Sequence, residues 1–377
     1  MNRANLWVLS SVLAMAACSN SGAPETDTGA TPGSNIPVTR SECTPFGATP
    51  RSITPVVNDL TPQTCLGLVN GVAMEGWTDA DGTARTACLF EPASASADHK
   101  LPLIIYLHAS VITSDVSLGL SNVLDGLETA DLSGDPARPG FILVAPAGRT
   151  TEHFYSWPID NAIGWDNWYR QLDPLRRVNG SEFPINVDAA AIDHFASEVI
   201  ATGKVDLDRV YVVGYSNGAS MGILYALNRS HVAAAAVYSA PSPFAYSNDP
   251  CKQDAVRSFP GDDTQHQVSH PGVPIMHIYN ACDAGGSCPN SVAMQAQLQA
   301  AGVTDIHDVI IDGSQTQVAA CDAACGTNPQ GDYGNPQDPS GYFANPMGFT
   351  LGVVNHGRWP SNWTDEMFAY LRAHPRS

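Results

Sequence analysis

The stretch DRVYVVGYSNGASMGILYAL, residues 208–227, decides the fold of this chain. Four strand-forming residues (210–213) lead into GYSNG (214–218), and small and apolar residues follow at helical spacing. The pentapeptide matches the pattern G-x-S-x-G, in which a serine occupies a sharp turn between a strand and a helix. A serine in that position, here Ser216, can act as a nucleophile above the carboxyl edge of a sheet. A purely structural serine at a turn is the alternative, but the flanking strand and helix favour the nucleophile.

Apolar runs alternate with helical patterns around this stretch. LPLIIYLH (101–108) and GFILVAPAG (140–148) are continuous apolar runs, typical of strands covered on both faces. Further strands are predicted at 233–238, 273–280 and 307–313, and helices at 121–132, 186–203, 291–301 and 363–373. Two short runs (67–74 and 85–90) around a polar turn predict an antiparallel hairpin. The alternation predicts an α/β fold with a mostly parallel sheet flanked by helices.

Composition narrows the classes of partner. The chain has 377 residues, 44% hydrophobic and 15% charged, which is enough for a sizeable core. Its net charge of −19 argues against nucleic acid and anionic membrane surfaces, because like charges repel. We expect a monomer with no nucleic-acid partner.

The N-terminus predicts export. In residues 1–18 a basic residue precedes an apolar run too short to span a bilayer, as in a cleaved signal. The end of this segment, MAAC (15–18), resembles the lipobox of bacterial lipoproteins and predicts lipidation of Cys18. The polar segment 19–41 predicts a disordered linker, and 42–377 would form the catalytic domain. We expect a bacterial outer-membrane lipoprotein, held to the membrane by this anchor, or a secreted protein.

Cysteine usage agrees with export. Apart from Cys18, eight of the nine cysteines remain, an even number that suggests up to four disulfides. The pairings considered are Cys65 with Cys88 and a grouping among the last four cysteines.

A nucleophilic serine on this turn needs a carboxylate and a histidine base, in the chain order Ser, acid, His. His356 lies on a glycine-bounded loop after the last predicted strand, where the base is expected. The competing histidines are His266, His270, His307 and His374. Asp283 lies just beyond the strand at 273–280 and is the preferred acid. Its competitors are Asp305, Asp308 and Asp312.

Two backbone donors are expected to stabilise the oxyanion that forms during acyl transfer. The N–H of Asn217 directly follows the serine and faces the developing negative charge. The second donor should come from the loop after 101–108, where the N–H of Ser110 (or Ala109) is the candidate. An ordinary strand end is the alternative.

Several segments carry a family resemblance. They are IYLHAS (105–110), APAGRT (145–150), GWDNWYR (164–170), NVDAAAIDHFA (186–196), KVDLDRVYVVGYSNGASM (204–221), MHIYNACD (276–283) and HGRWP (356–360). In order and spacing they resemble the α/β-hydrolase esterases that include poly(3-hydroxybutyrate) depolymerases and feruloyl and acetylxylan esterases. The resemblance implies an α/β-hydrolase fold and acyl transfer by Ser216, Asp283 and His356, with no metal or cofactor. The chain departs from the family pattern at Ala109, where glycine is usual, and in an insertion at 321–348.

An exported esterase suits extracellular esters, such as polyhydroxybutyrate-like polyesters or feruloyl and acetyl esters of plant cell walls. Four aromatic residues are predicted to line the substrate cleft: Trp165, Trp168, Tyr215 and Trp359. Packing beneath a loop is the alternative for the Trp-rich stretch. A catalytically degenerate, tethered binding protein and a serine peptidase stay open as other functions.

Overall fold

The computed structural model describes residues 65, 69–79, 84–110, 112–148, 164–165, 177–178, 181–182, 187–240, 268–281, 283, 287–321, 352 and 354–376. The export signal, with Cys18, and the linker lie outside the described residues. So does all of the insertion after Cys321. The domain limits therefore stay predictions.

The described part of the chain contains ten strands, and eight of them form one sheet. The strands are β1 (Val72–Thr78), β2 (Ala84–Phe90), β3 (Leu101–Leu107), β4 (Ile142–Pro146), β5 (Arg177–Val178), β6 (Ser181–Glu182), β7 (Val205–Tyr215), β8 (Ala234–Tyr238), β9 (Ile275–Asn280) and β10 (Ile306–Ile311). The sheet order is β1-β2-β4-β3-β7-β8-β9-β10, while β5 and β6 pair with each other.

The sheet is parallel except at one edge. β1 and β2 form the predicted antiparallel hairpin, and β2 also runs antiparallel to β4. Every pair from β4 through β3, β7, β8 and β9 to β10 is parallel. Loops that follow β3, β7, β8 and β9 therefore leave from the same edge of the sheet, where their side chains can meet.

Helices cover both faces of the sheet. They are α1 (Ser114–Leu120), α2 (Val187–Ala201), α3 (Asn217–Ala226), α4 (Ser287–Ala300) and α5 (Thr364–Ala373), with 3-10 turns at Val123–Gly126 and Ser361–Trp363. One core contains side chains of α2, α3 and α4, and a second contains those of α1 and α5. Strands β3, β4, β8 and β9 are buried along their whole length, which explains their continuous apolar runs. The predicted α/β architecture, a mostly parallel sheet flanked by helices, is confirmed.

None of the helices in the described ranges is long and apolar enough to cross a lipid bilayer.

One predicted helix is wrong. The stretch 121–132 forms no α-helix: α1 ends at Leu120, and the backbone of the next residue, Ser121, is extended (φ −97°, ψ 169°). Only a 3-10 turn, Val123–Gly126, follows within that stretch. A Cβ on Gly126 would lie 2.7 Å from the ring of Phe368, so α5 packs directly against this turn. This contact with a helix distant in sequence is one that apolar spacing alone did not reveal.

Two disulfides lie among the described residues. Cys65 is bonded to Cys88, as predicted, and joins the segment before β1 to β2. Cys288 is bonded to Cys321 and joins α4 to the chain after β10, a pairing within the last four cysteines. Both bonds staple segments at the ends of the sheet.

Candidate active site

Ser216 occupies the turn between β7 and α3. Its backbone has φ 55° and ψ −119°, a conformation that residues other than glycine rarely adopt. Its N–H donates to the carbonyl oxygen of Tyr238 (2.9 Å), and its carbonyl oxygen accepts from the N–H of Ala219 (2.9 Å). A strained serine is thus held at the carboxyl edge of the sheet, as the G-x-S-x-G pattern predicts.

The glycines on either side of Ser216 permit backbone contacts that a side chain would prevent. A Cβ on Gly214 would lie 2.5 Å from the carbonyl oxygen of Gly218. A Cβ on Gly218 would lie 2.3 Å from the carbonyl oxygens of both Leu107 and His108. The nucleophile turn therefore packs directly against the end of β3, and only glycine fits at these two positions.

His356 and Asp283 extend a hydrogen-bonded chain from Ser216. The Ser216 Oγ lies 2.7 Å from Nε2 of His356, and Nδ1 of His356 lies 2.8 Å and 3.0 Å from the two carboxylate oxygens of Asp283. A carboxylate only accepts, so the Nδ1–H donates to Asp283 and Nε2 is left to accept the Ser216 proton. The structure brings together the three side chains predicted as nucleophile, base and acid, in the tautomer that general-base chemistry requires.

The competing carboxylates lie elsewhere. Asp312 accepts the backbone N–H groups of two residues in the turn after β10, at 2.8 Å and 3.0 Å. Asp305 precedes β10 and lies near His374, with 3.6 Å between their side chains. Asp308 lies within β10, and its carboxylate is 3.7 Å from Nδ1 of His277. None of these three contacts His356 among the described interactions.

The competing histidines have other surroundings. The rings of His307 and His374 pack against Tyr370 of α5, with centroids 5.9 Å and 4.3 Å from the tyrosine ring. His270 precedes β9, at the amino edge of the sheet, where its N–H donates to a backbone carbonyl. His266 lies outside the described residues. His356 is the histidine that meets Ser216.

The environment of His356 strengthens it as a base. Its side chain is 24% exposed, whereas that of Asp283 is fully buried. Burial lowers the pKa of His356, but the charge of Asp283 and its hydrogen bond together outweigh burial, so the pKa lies above its ordinary value. A higher pKa increases the driving force for taking the Ser216 proton, and it also means that mild acid protonates the base.

His356 lies at the end of a helical segment (354–356) and not within an open loop as predicted. Two tyrosines hold this helix end and the residues after it, which we call the base loop (354–360), a role the sequence did not reveal. The Tyr215 hydroxyl donates to the carbonyl oxygen of His356 (2.7 Å), and the Tyr238 hydroxyl donates to that of Asn355 (2.7 Å). The two tyrosines are cross-strand partners at the ends of β7 and β8. Burial raises the pKa of both hydroxyls well above the ordinary value, so they stay protonated donors.

His108 shapes the chain that leads to the predicted second oxyanion donor. It is fully buried, its Nε2 accepts the N–H of Gly148 (2.8 Å), and its Nδ1 lies 2.7 Å from the carbonyl oxygen of Ala109. Burial lowers the pKa of His108 to about 4, so the ring is neutral and Nδ1–H donates to Ala109. The ring thereby fixes the peptide between Ala109 and Ser110, whose N–H is the predicted donor.

Asn217 links the nucleophile turn to a second glycine segment. Its side-chain oxygen accepts the N–H of Trp165 (2.6 Å), and its Nδ2 donates to the carbonyl oxygen of Trp165 (3.4 Å). A Cβ on Gly164 would lie 3.1 Å from the Asn217 Oδ1 and 3.8 Å from the Ser110 Oγ. Asn217 is also the first residue of α3, where backbone N–H groups point out of the helix. The side chains of the two residues predicted to supply the oxyanion donors therefore both approach Gly164, and Asn217 directly follows Ser216.

A buried arginine, Arg85, supports the segment at the end of β4 that His108 contacts. No sequence signal pointed to this residue. Arg85 donates to the carbonyl oxygen of Ala147 (2.9 Å), the residue before Gly148. It also pairs with Asp79 (3.1 Å) and with Asp188, and all three side chains are buried. Two carboxylates around one guanidinium keep the buried charge paired, and the cluster holds the end of β4 against β2 and α2.

Three of the four aromatic residues predicted to contact substrate are buried: Trp165 (0% exposed), Tyr215 (3%) and Trp359 (4%). Trp165 packs on His108 with 4.8 Å between ring centroids and donates its Nε1–H to the His108 carbonyl oxygen (2.8 Å). Trp359 packs edge-on against Tyr215, at 5.8 Å. The structure corrects the prediction, because these rings fill the space behind the site. Trp168 lies outside the described residues.

Metal-binding side chains do not gather in the described part of the chain: no group of three or more His, Cys, Asp or Glu residues there could hold an ion. The described groups themselves offer the chemistry of a hydroxyl, an imidazole and a carboxylate.

Comparisons with known proteins give likenesses in structure only. No protein-family model and no curated protein sequence matches this chain. A thermostable esterase is 15% identical with a TM-score of 0.43, over 81% of this chain and 63% of its own. An S-formylglutathione hydrolase from Agrobacterium tumefaciens is 12% identical with a TM-score of 0.45, over 80% and 94%. A ferulic acid esterase is 16% identical with a TM-score of 0.41, over 64% and 90%.

This chain therefore spans about 63% of the length of the thermostable esterase. At such low identities and TM-scores, none of these likenesses decides what the protein does. The chemistry has to follow from the geometry around Ser216.

Proposed function

We propose that the protein is an exported serine esterase that hydrolyses carboxylic esters through an acyl-enzyme on Ser216. The hydrogen-bonded chain from Ser216 through His356 to Asp283, at a strained strand-to-helix turn, carries this proposal. The G-x-S-x-G turn on this type of sheet is typical of lipases and esterases.

The reaction has two halves. Nε2 of His356 takes the Ser216 proton as Oγ attacks the ester carbonyl carbon, and the resulting tetrahedral intermediate expels the alcohol, which receives that proton from His356. Water then gives a proton to His356 and attacks the acyl-enzyme carbonyl. Collapse of the second intermediate releases the acid, and His356 gives its proton to the Ser216 oxygen, which restores the hydroxyl and the neutral imidazole. Asp283 keeps the imidazole in the required tautomer and stabilises its positive charge.

The oxyanion formed in each half is expected to bind backbone donors. The N–H of Asn217, at the start of α3, and the N–H of Ser110, beyond β3, supply them in this proposal. The support is that the side chains of both residues approach Gly164 and that Asn217 directly follows Ser216. The resembling family usually has glycine at position 109. Here the carbonyl oxygen of Ala109 accepts a hydrogen bond from His108, which holds the segment that carries Ser110.

The proposals of export and of a substrate class rest on cysteine usage and on the family resemblance rather than on the geometry of the site. Two disulfides in the described ranges fit an oxidising compartment. Extracellular polyesters, and feruloyl or acetyl esters of plant cell walls, are the proposed substrates. A panel of polyester films, feruloyl and acetyl sugars, and p-nitrophenyl esters of varied chain length ranks these classes by kcat/KM.

Labelling and turnover test the activity together. We expect a fluorophosphonate to label Ser216 of the full-length protein, and the purified protein to hydrolyse a short-chain p-nitrophenyl ester. Ser216→Ala should lose both, whereas Ser133→Ala, at a buried serine in the loop before β4, should keep both. A wild type without label or turnover would support a binding protein, and faster cleavage of casein than of any ester would support a peptidase.

Anchoring is tested separately. Mass spectrometry of the mature protein should find a diacylglyceryl group on Cys18. A free N-terminus at another residue would show simple secretion.

A further inference from the structure

We propose that Ser239, the residue after β8, is a positioning residue that holds the Asp283 carboxylate in line with His356. This inference rests on the proposed function and adds a fourth side chain to it. The Ser239 Oγ donates to Oδ2 of Asp283, while Nδ1–H of His356 donates to Oδ1 (2.8 Å). Oδ2, which also lies 3.0 Å from Nδ1, therefore has an additional donor in the Ser239 hydroxyl.

The backbone of Ser239 is shaped for this contact. Its φ is 56°, which makes it, with Ser216, one of four non-glycine residues with positive φ in the described part of the chain. Its N–H donates to the carbonyl oxygen of Ile278 in β9 (2.8 Å), and the residue is fully buried. A strained conformation persists only where surrounding contacts enforce it, and such residues concentrate at functional sites.

The neighbouring residue, Tyr238, contacts the nucleophile Ser216 and the residue next to the base His356. Its carbonyl oxygen accepts the N–H of Ser216 (2.9 Å), and its hydroxyl donates to the carbonyl oxygen of Asn355, next to His356. The pair formed by Tyr238 and Ser239 therefore contacts the nucleophile turn, the base loop and the acid. The end of β8 sets the relative positions of three groups that are distant in sequence.

The Ser239 hydroxyl restricts rotation of the carboxylate. A carboxylate turns about its Cβ–Cγ bond, a soft torsion with broad minima. A donor on Oδ2 opposes that rotation and keeps Oδ1 aligned with Nδ1–H of His356. The Ser239 Oγ also lies 3.3 Å from Nδ1, so it contacts both the acid and the base. Because hydrogen bonds to a buried charge are stronger than neutral ones, its loss should be felt in the reaction.

Two variants separate the hydroxyl from the backbone. Ser239→Ala and Ser239→Gly both remove the hydroxyl, but glycine adopts φ 56° without strain. We expect kcat for a p-nitrophenyl ester to fall about tenfold to a hundredfold in both, the range for losing one hydrogen bond to a charged group. KM should change less than about twofold, because substrate does not touch Ser239. Ser133→Ala serves as the control for loss of a buried serine hydroxyl.

A spectroscopic readout distinguishes positioning from general destabilisation. In wild type, the His356 Nδ1–H that binds Asp283 should give a downfield proton NMR signal, and this signal should broaden or shift upfield in both Ser239 variants. Wild-type kcat and an unchanged signal in Ser239→Gly would overturn the inference while leaving the esterase proposal intact. A wild type that hydrolyses no ester would instead overturn the proposed function.

Discussion

The nucleophile turn (214–218) and the base loop (354–360) hold their reactive residues in different ways. Ser216 is fixed by its immediate neighbours, because the flanking glycines let the backbone pack on the end of β3. His356 is fixed by side chains far away in sequence. Tyr215 and Tyr238 lie 141 and 117 residues from the groups to which they donate, and Gln315 donates to the carbonyl oxygen of Trp359 (2.7 Å).

The difference also extends to charge. The nucleophile turn uses backbone contacts and the neutral, buried ring of His108, whereas the base loop depends on the buried charge of Asp283. The turn should therefore respond most to changes of backbone volume. The base loop should respond most to changes of single hydrogen bonds and of charge.

Loss of the Asp283 charge should have the largest effect. For Asp283→Asn we expect kcat to fall about 10⁴-fold, as in serine hydrolases that lose the orienting carboxylate. The midpoint of the pH profile of kcat/KM should also move to lower pH, because Asp283 raises the pKa of His356 and burial alone lowers it. Steady-state kinetics across pH measures both.

The matched control is Asp312→Asn, which changes a competing carboxylate on a turn after β10. An equal loss of kcat in this control would show that charge near the sheet edge, rather than contact with His356, matters.

Backbone volume in the nucleophile turn comes next. Gly218→Ala should lower the free energy of unfolding by about 3 kcal/mol, the upper range for overpacking, because the new Cβ meets two carbonyl oxygens at 2.3 Å. Displacement of Ser216 should lower kcat about a hundredfold or more. Urea unfolding and ester kinetics check these values.

Gly272→Ala is the control, since a Cβ there meets nothing within 4 Å. A Gly218→Ala variant as stable and active as Gly272→Ala would contradict the close packing of the turn on β3.

Mild acid should destabilise the fold through His108. Its pKa is about 4 in the folded protein and ordinary when unfolded, so the unfolded chain binds the proton first as pH falls below about 6.5. Stability is therefore present above that pH and lost below it, by about 2 kcal/mol at pH 5. In His108→Gln the loss between pH 7 and pH 5 should be smaller by that amount in urea unfolding.

Above about pH 7.5 the two proteins should change in parallel, because His108 is then almost wholly neutral in both states. An equal acid response in wild type and variant would contradict a buried neutral His108.

Single hydroxyls that hold the base loop should have the smallest effects. Tyr215→Phe and Tyr238→Phe should each lower the free energy of unfolding by about 1 kcal/mol and kcat by about tenfold. Because both hydroxyls hold adjacent carbonyls of one loop, the double variant should lose less than the sum of the two changes. Additive losses in a double-mutant cycle would mean that the two hydroxyls act independently.

Much of the fold followed from local patterns. Continuous apolar runs predicted β3 and β4, and the strand, glycine and helix signals around Ser216 predicted the nucleophile turn. These signals work because each element is made by neighbouring residues. The helix expected at 121–132 was wrong: a 3-10 turn stands there, in contact with Phe368 of α5, which is distant in sequence.

The functional assignments divide along the same line. Chain order and position after a strand selected Asp283 and His356 from several candidates, and the structure brings both to Ser216. The aromatic residues were assigned wrongly, because the sequence around a tryptophan near a predicted site does not show whether its ring faces substrate or fills the core. Trp165 and Trp359 fill the core.

Local sequence thus determined that this chain would carry a strained serine at the edge of a parallel sheet, because strand, glycine turn and helix lie within twenty consecutive residues. Tertiary structure decided what surrounds that serine. Tyr215, Tyr238, Ser239 and His108 all support the site through hydrogen bonds. The hydrogen bonds of the two tyrosines and Ser239 join segments that meet only when parallel strands align their carboxyl ends. No pattern of neighbouring residues encodes such contacts, since direction and distance exist only after the sheet has formed.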